Sequence, residues 1–466
     1  MRSADEINFV ALGGGTSIGG SSYLVQTGQT TVMFDCGIDP NTDPSLTFKN
    51  ILSNALNSGL INNIFDINAV ILSHAHTDHS GLLPALLKLV REDPDRRSIP
   101  LFYAHRATID LLELILHNIR MFTHNIPYES KWSDMLLQGE GYLVEPNDGL
   151  IDWFQPELGT LRFYQNSHLL GAVMTEIQVN GKVIIYTGDF QIGETPTLPA
   201  SEIPQTKPDL LILDGTNAVP MSSRKVSGWQ EGQNQLWNLL DQLLSTQGKL
   251  LLPSFALGRS QDILSLILKY IQQNSINNFY IYLDGQSKEV TQEIYPRFRN
   301  HLKKEYWDLY SSNNWRIKYP EKGINKDEYW DNEFKDYPAV LIASSGMLLP
   351  GSASREWAET FITKPNNDIV FTGYITEEIR EEIASSGIST FDANNSSSQL
   401  HISGHASLDE IKKFIHQLSP KAVAIVHSDI QDDIDHGGKD SLYNWLKDND
   451  YPVVIGKEGV VFSFSG

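Results

Sequence analysis

A buried strand that runs straight into three histidines and an aspartate constrains this chain more than any other feature. Asn68-Ala-Val-Ile-Leu-Ser73 is apolar and rich in branched side chains, the composition of a strand covered on both faces. It continues without a break into His74-Ala-His76-Thr-Asp78-His79. Polar groups crowded at a strand end are costly unless something pairs them. Neutral imidazoles and a carboxylate suit zinc, and alternating residues can turn toward one ion while their neighbours turn toward a second.

Three later strand ends carry the same chemistry. Asn166-Ser-His168-Leu-Leu-Gly places an imidazole in a tight turn, Thr187-Gly-Asp189-Phe ends a buried strand on a carboxylate, and Ile425-Val-His427-Ser ends another on an imidazole. In layered α/β folds, functional groups converge at such an edge. Singly, His168 or His427 reads as structural; as parts of one pattern they read as ligands.

The chain has 466 residues, enough for two to three domains, and its 36 Lys+Arg against 57 Asp+Glu give a net charge of −21. That charge opposes long-range attraction to nucleic acid, except at a local basic groove or where bound metal reverses the field. A hydrophobic content of 41% excludes a disordered chain, and a single cysteine, Cys36, excludes a disulfide scaffold and fits a reducing compartment. Met1 to Gly20 lacks a basic segment followed by an apolar run, and stretches such as Gly81 to Val90 are too short to span a bilayer. The expectation is a soluble, cytoplasmic protein that does not engage a membrane.

Short β-rich runs open the chain at Phe9–Gly15, Ser22–Gln26 and Thr31–Asp35. Helices are expected over Gly81–Val90 and Thr108–Phe122, and buried strands over Lys182–Thr187 and Asp209–Asp214. From Trp229 onward helix and strand alternate (Trp229–Leu244, Lys249–Pro253, Arg259–Gln272, Asn278–Leu283, Val340–Ala343, Ile369–Thr372), which implies a parallel α/β layer. Glu321–Asp336, charged and aromatic without apolar periodicity, reads as a surface loop or insertion. Beyond the Ser- and Asn-rich stretch at Asn394–Ser398, the pattern gives a strand at Leu400–Ser403, a helix at Ser407–Leu418 and a strand at Ala422–Val426. A helix at Leu442–Lys447 and strands at Val453–Ile455 and Val460–Phe464 follow.

The motifs together resemble the metallo-β-lactamase fold, and within it the β-CASP branch of RNA-processing nucleases, the ribonuclease J and cleavage-and-polyadenylation endonuclease types. The markers are Phe34-Asp35-Cys-Gly, the His74 to His79 cluster, His168 and Asp189, followed in order by Asp214, His405 and His427. Pro253-Ser-Phe-Ala-Leu-Gly-Arg-Ser-Gln261, Ala343-Ser-Ser-Gly-Met-Leu and Thr372-Gly-Tyr are similar to signatures of the inserted domain, so the resemblance runs from Ala11 to Val461. It implies an α/β protein: an αββα metallo-β-lactamase sandwich built from residues 1–218 and 398–466, with a β-CASP α/β domain, 219–397, inserted between, and the scissile bond held in the cleft between the two.

By that resemblance His74, His76 and His168 would hold one ion, Asp78, His79 and His427 a second, and Asp189 would bridge them. The ions would be two zinc ions, with manganese as the alternative. Asp35 would orient a ligand from behind. His405 would give a proton to the leaving oxygen, with Asp214 holding its ring; His401 is its rival by position, and family pattern decides for His405. Two ions about 4 Å apart can clamp an in-line displacement at phosphorus. The implied function is metal-dependent hydrolysis of phosphodiester bonds in single-stranded RNA, as an endonuclease, a 5′-exonuclease or both. A DNA nuclease or other phosphodiesterase on the same site, and a non-catalytic β-CASP scaffold subunit, stay open as alternatives, as does a homodimer or protein partner.

Arg259, opening a helix after a Gly turn, is a candidate for contacting substrate phosphate. Gly13-Gly-Gly15 lacks the following lysine and βαβ context of a phosphate loop. His105, His117, His124, His301, His401, His416 and His436 match no motif and read as structural or surface residues. The chain departs from many relatives in the acidic run Ile375-Thr-Glu-Glu-Ile-Arg-Glu-Glu382 and in Ser428-Asp429 after His427.

Overall fold

Alternation along the strands decides which side chains meet. The computed structural model describes residues 6–92, 100–118, 141–143, 151–152, 159–219, 229–334, 337–364, 366–373, 381, 385, 400, 402–435 and 440–465. The end of the predicted helix beyond residue 118, His124, Asn394–Ser398, His401, His436 and the acidic run at 374–380 lie outside them. The chain forms two compact units, one of residues 1–193, 200–221 and 405–466, the other of 194–199 and 222–404.

The first unit holds two seven-stranded sheets. Across one, the strands run Phe462–Ser465, Glu6–Gly13, Ser22–Thr27, Thr30–Phe34, Ala69–Ile71, Leu101–Ala104 and Gly141–Leu143. Across the other they run Val453–Ile455, Val423–Val426, Leu210–Asp214, Lys182–Tyr186, Val173–Val179, Thr160–Gln165 and Ile151–Asp152. Side chains two apart share a face of a strand. Ile7, Phe9 and Ala11 of one sheet therefore pack with Ile184, Tyr186, Leu210, Ile212, Ala424 and Val426 of the other in one core. The intervening Ile185, Leu211, Leu213, Val423 and Ile425 turn the opposite way, onto Ile411, Phe414, Ile415 and Leu418 of the helix Leu408–Leu418.

That helix starts at a capping box. Ser407 Oγ caps the Glu410 amide, and the Glu410 carboxylate accepts from the Ser407 N–H at 2.8 Å.

The second unit is a five-stranded parallel sheet in the order Ile317–Lys318, Tyr280–Asp284, Ala339–Ala343, Lys249–Pro253 and Asn367–Ile369. One face, with Leu250, Leu252, Ile281, Leu283, Val340 and Ile342, packs on the helices Trp229–Thr246 and Arg259–Gln273. The other, with Leu251, Tyr282, Leu341 and Ala343, packs on Trp330, Phe334, Trp357 and Phe361.

Two details differ from the sequence reading. The segment predicted as a surface loop, Glu321–Asp336, is helical over its middle: Lys326–Tyr329 is a helical turn that continues into a wider turn over Trp330–Phe334. Its aromatic rings are too few per turn to leave a helical period, yet Trp330 and Phe334 stack 5.1 Å apart and Phe334 stacks on Tyr282 at 4.2 Å. Nor do the described residues of Leu400–Ser403 form a strand. Leu400 donates its N–H to the Phe371 carbonyl, and Leu400 and Ile402 pack in the core of the second unit.

No helix among the described residues is long and apolar enough to cross a membrane.

Candidate metal centre

Six residues of the centre stand just past a strand or at its last position. Asp35 follows Thr30–Phe34, His74 follows Ala69–Ile71, and His168 follows Thr160–Gln165. Asp189 follows Lys182–Tyr186, Asp214 ends Leu210–Asp214, and His427 follows Val423–Val426. Asp78 and His79 lie in the single helical turn Thr77–Ser80. Glycines let backbone close in on this loop: a Cβ on Gly37 would lie 1.8 Å from the Asp78 carbonyl oxygen, and one on Gly188, at φ 55°, would lie 2.6 Å from the Ser73 Cβ. Asp35 and His427 are themselves left-handed, at φ 59° and 52°, a conformation a non-glycine residue holds only where its surroundings impose it.

Two donor sets result. His74, His76, His168 and Asp189 each offer one atom, all within 4.8 Å of one another; Asp78, His79 and His427 do the same. In the first set His74 Nε2 and His168 Nε2 stand 3.1 and 3.2 Å from His76 Nδ1. Asp189 reaches the second set, its Oδ1 3.1 Å from His79 Nε2 and 3.3 Å from His427 Nδ1. A third group joins Asp189, Asp214 and His405, with His405 Nδ1 2.8 Å from Asp214 Oδ2.

Hydrogen bonds on the outer sides of the rings settle which nitrogens face inward. Asp35 is fully buried and accepts from the Ser73 N–H at 2.7 Å, the Ser73 hydroxyl at 2.7 Å, the Tyr186 hydroxyl at 2.6 Å and His79 Nδ1 at 2.8 Å. The His79 Nδ1 proton goes to that carboxylate, which leaves Nε2 as a lone pair facing Asp189. The Ser73 hydroxyl gives its proton to Asp35 and so accepts from His74 Nδ1 at 2.9 Å, turning the His74 Nε2 lone pair inward. Thr216 works the same way on the far side: its hydroxyl donates to Asp214 Oδ1 at 2.7 Å and faces His427 Nδ1 at 2.9 Å.

The centre thus packs ring nitrogens and carboxylate oxygens against one another. The buried His76 Nε2, His427 Nε2 and Asp189 Oδ1 make no hydrogen bond of good geometry. Polar groups this close call for a shared proton or a cation among them, and imidazole with carboxylate is a donor set suited to divalent metal ions. The residues fit metal.

Burial, helped by the facing His79, holds the His74 imidazole well below its ordinary range, and burial holds His76 at about 4. Burial alone would lower His427 as well, but Asp189, Asp214 and Asp78 carry it up to about 10. His405 also rises, its burial outweighed by Asp214 and Asp189. Asp214 accepts the Thr216 N–H and hydroxyl besides the His405 ring, and is held below the usual carboxylate range against its burial, first by His405.

Comparison with known proteins finds three family profiles along the chain. The metallo-beta-lactamase superfamily profile covers residues 15–108, the Beta-Casp domain profile 260–380, and the profile of a Zn-dependent metallo-hydrolase RNA specificity domain 397–436. The chain belongs to the β-CASP branch of the metallo-β-lactamase superfamily. It is 27% identical to an endoribonuclease YSH1 of Yarrowia lipolytica over 92% of this chain and 50% of that one. It is 26% identical to cleavage and polyadenylation specificity factor 73 of Drosophila melanogaster over 91% and 60%. An RNase J-like protein of Methanocaldococcus jannaschii is 27% identical over 78% of this chain and 77% of its own. The chain therefore spans 50% and 60% of the first two relatives' length. In fold it also resembles a crystal structure of a protein of unknown function from Enterococcus faecalis V583, with a TM-score of 0.59 and 14% identity, covering 98% of this chain and 100% of that one.

Within this β-CASP chain, His74, His76, Asp78, His79, His168, Asp189, Asp214, His405 and His427 meet at one place, with Asp35 directly behind them. Arg259 is in the other unit, where it donates to the Ile402 carbonyl at 2.7 Å and lies 5.4 Å over the Trp229 ring. Sequence reading missed the residues that aim the rings: Ser73, Tyr186 and Thr216. Their signal was adjacency alone, since Ser73 precedes His74, Tyr186 stands three residues before Asp189, and Thr216 two after Asp214.

Proposed function

We propose that this chain is a metal-dependent ribonuclease that hydrolyses phosphodiester bonds in single-stranded RNA, with two zinc ions held by His74, His76 and His168 on one side and Asp78, His79 and His427 on the other, and with Asp189 between. The observation that carries this reading is the His405–Asp214 pair, which reaches Asp189 as a third group beside the two donor sets. Relatives named as endoribonucleases and as RNase J-like support RNA as the substrate.

When bound, the ions supply positive charge to an anionic phosphodiester and lower the pKa of water at the site. The other steps belong to side chains. His405 donates its Nδ1–H to Asp214, 2.8 Å away, and keeps that proton, so the proton it can pass to substrate sits on Nε2. Asp214 and Asp189 favour the charged ring, and a protonated imidazole suits a leaving alkoxide. The His405 backbone is steadied from two sides. The Ala406 N–H donates to the Phe190 carbonyl at 2.7 Å, and Asn217 Nδ2 donates to the Ala406 carbonyl at 3.0 Å. Asp35 keeps the His79 ring turned to its ion through the bond to Nδ1.

The test is cleavage of a 5′-labelled single-stranded RNA, with the DNA of the same sequence in parallel, by zinc-loaded and ion-stripped protein. Discrete RNA products from the loaded protein alone are expected. Intact RNA beside cleaved DNA would overturn the choice of substrate.

A further inference from the structure

Glu458, near the end of the chain, holds the loop on which the His427 backbone rests. One carboxylate oxygen accepts the Gly15 and Thr16 N–H groups at 2.9 and 3.0 Å, and the other accepts the Thr16 hydroxyl at 2.9 Å. This leaves the Gly13–Thr16 turn, which resembles a phosphate loop only in composition, with its amides already committed to an anion of the chain itself. The next carbonyl back, Gly14 O, accepts the His427 N–H at 2.7 Å and the Tyr23 hydroxyl at 2.8 Å. His427 is the residue held left-handed at φ 52°, so its backbone needs such an anchor to keep the ring on Asp78 and Asp189. The two turns fit backbone to backbone: a Cβ on Gly15 would lie 1.5 Å from the Gly456 carbonyl oxygen, and the Gly459 N–H donates to the Ala11 carbonyl at 2.8 Å.

We infer that Glu458 is a positioning residue for the ion pocket of Asp78, His79 and His427, acting through the Gly14–Thr16 turn on the backbone of His427. It touches none of the three donors and none of the His74, His76 and His168 set. Its loss therefore affects one ion selectively. The inference rests on the two-ion reading above.

The test is zinc titration of the ion-stripped full chain against a chromophoric chelator, for wild type, Glu458→Ala and Glu458→Gln, with folding checked by circular dichroism. Wild type is expected to take two ions. Glu458→Ala is expected to bind one as wild type does and the other about tenfold or more weakly. Glu458→Gln keeps an oxygen for the two amides and is expected to restore most of that affinity. Should Glu458→Ala not fold, Glu458→Asp, too short to reach the amides, takes its place. Two ions bound by the Ala or Asp variant as tightly as by wild type would overturn the inference alone, as would a Gln variant that loses the ion as fully as Ala. A wild type that binds fewer than two ions overturns the two-ion reading and this inference with it.

Discussion

Asp35 shows at the scale of one residue how the centre is built, because two oxygens take four hydrogen bonds and three of the donors lie on the ion-binding segment from Ser73 to His79. Asn tolerates the same left-handed backbone but replaces one acceptor oxygen with a donor. Asp35→Asn is therefore expected to weaken zinc binding by about 10–100-fold with the nine side chains of the centre intact, read by chelator competition. Affinity equal to wild type would show that the rings need no such anchor. Asp214→Asn is the matching case for the acid: the ring of His405 loses its anionic partner, and cleavage is expected to fall by about 10²–10⁴-fold with ion content unchanged.

At the scale of elements, the turn over Trp330–Phe334 is core. Phe334→Ala is expected to cost about 3–5 kcal/mol in denaturant unfolding; a cost below about 1 kcal/mol would return the segment to the surface. The helix Arg259–Gln273 carries a second consequence of burial. Asp262, buried on it, accepts the Thr197 N–H and hydroxyl, and its carboxyl is pushed up to about 6, by burial above all. A raised carboxyl pKa means the folded state binds the proton more tightly than the unfolded chain. Stability is then lost as pH rises from about 4 toward 6, and stays lost above. The stability of Asp262→Asn relative to wild type is expected to rise across that window and level off beyond it; a difference that does not vary with pH contradicts this. Many strands and helices of both units were legible because one period, two or 3.6, dominates each segment, whereas the strands Leu101–Ala104, Thr160–Gln165 and Val173–Val179 and the helices Pro44–Asn57, Lys304–Asn313 and Ala353–Phe361 were not read. Trp330–Phe334 and Leu400–Ile402 were not, because a few large side chains packed by distant partners leave no local period. In the same way the ligand types could be read at the strand ends, whereas Ser73, Tyr186 and Thr216 are ordinary residues until the fold aims them.

On the scale of the whole molecule, the net charge of −21 and the proposed RNA substrate would be reconciled at one place, where bound cations would reverse the local field. Held there, cations would also join strand ends drawn from both sheets of the first unit, His74 from one and His168, Asp189 and His427 from the other. Metal that binds the folded state alone raises its stability by mass action. Removing the ions is expected to lower the melting temperature by several degrees, and adding zinc to restore it, by differential scanning calorimetry; an unchanged melting temperature contradicts a site formed only in the folded chain. The central claim is that ions held by these donors cleave RNA with His405 as the acid. It is tested most directly by the single-turnover cleavage rate of 5′-labelled single-stranded RNA for zinc-loaded wild type and His405→Ala, with bound zinc counted in the same samples. Two ions in both proteins, cleavage by wild type, and a loss of about 10²-fold or more in the variant are expected. Equal rates, or intact RNA with two ions bound to wild type, would contradict the account.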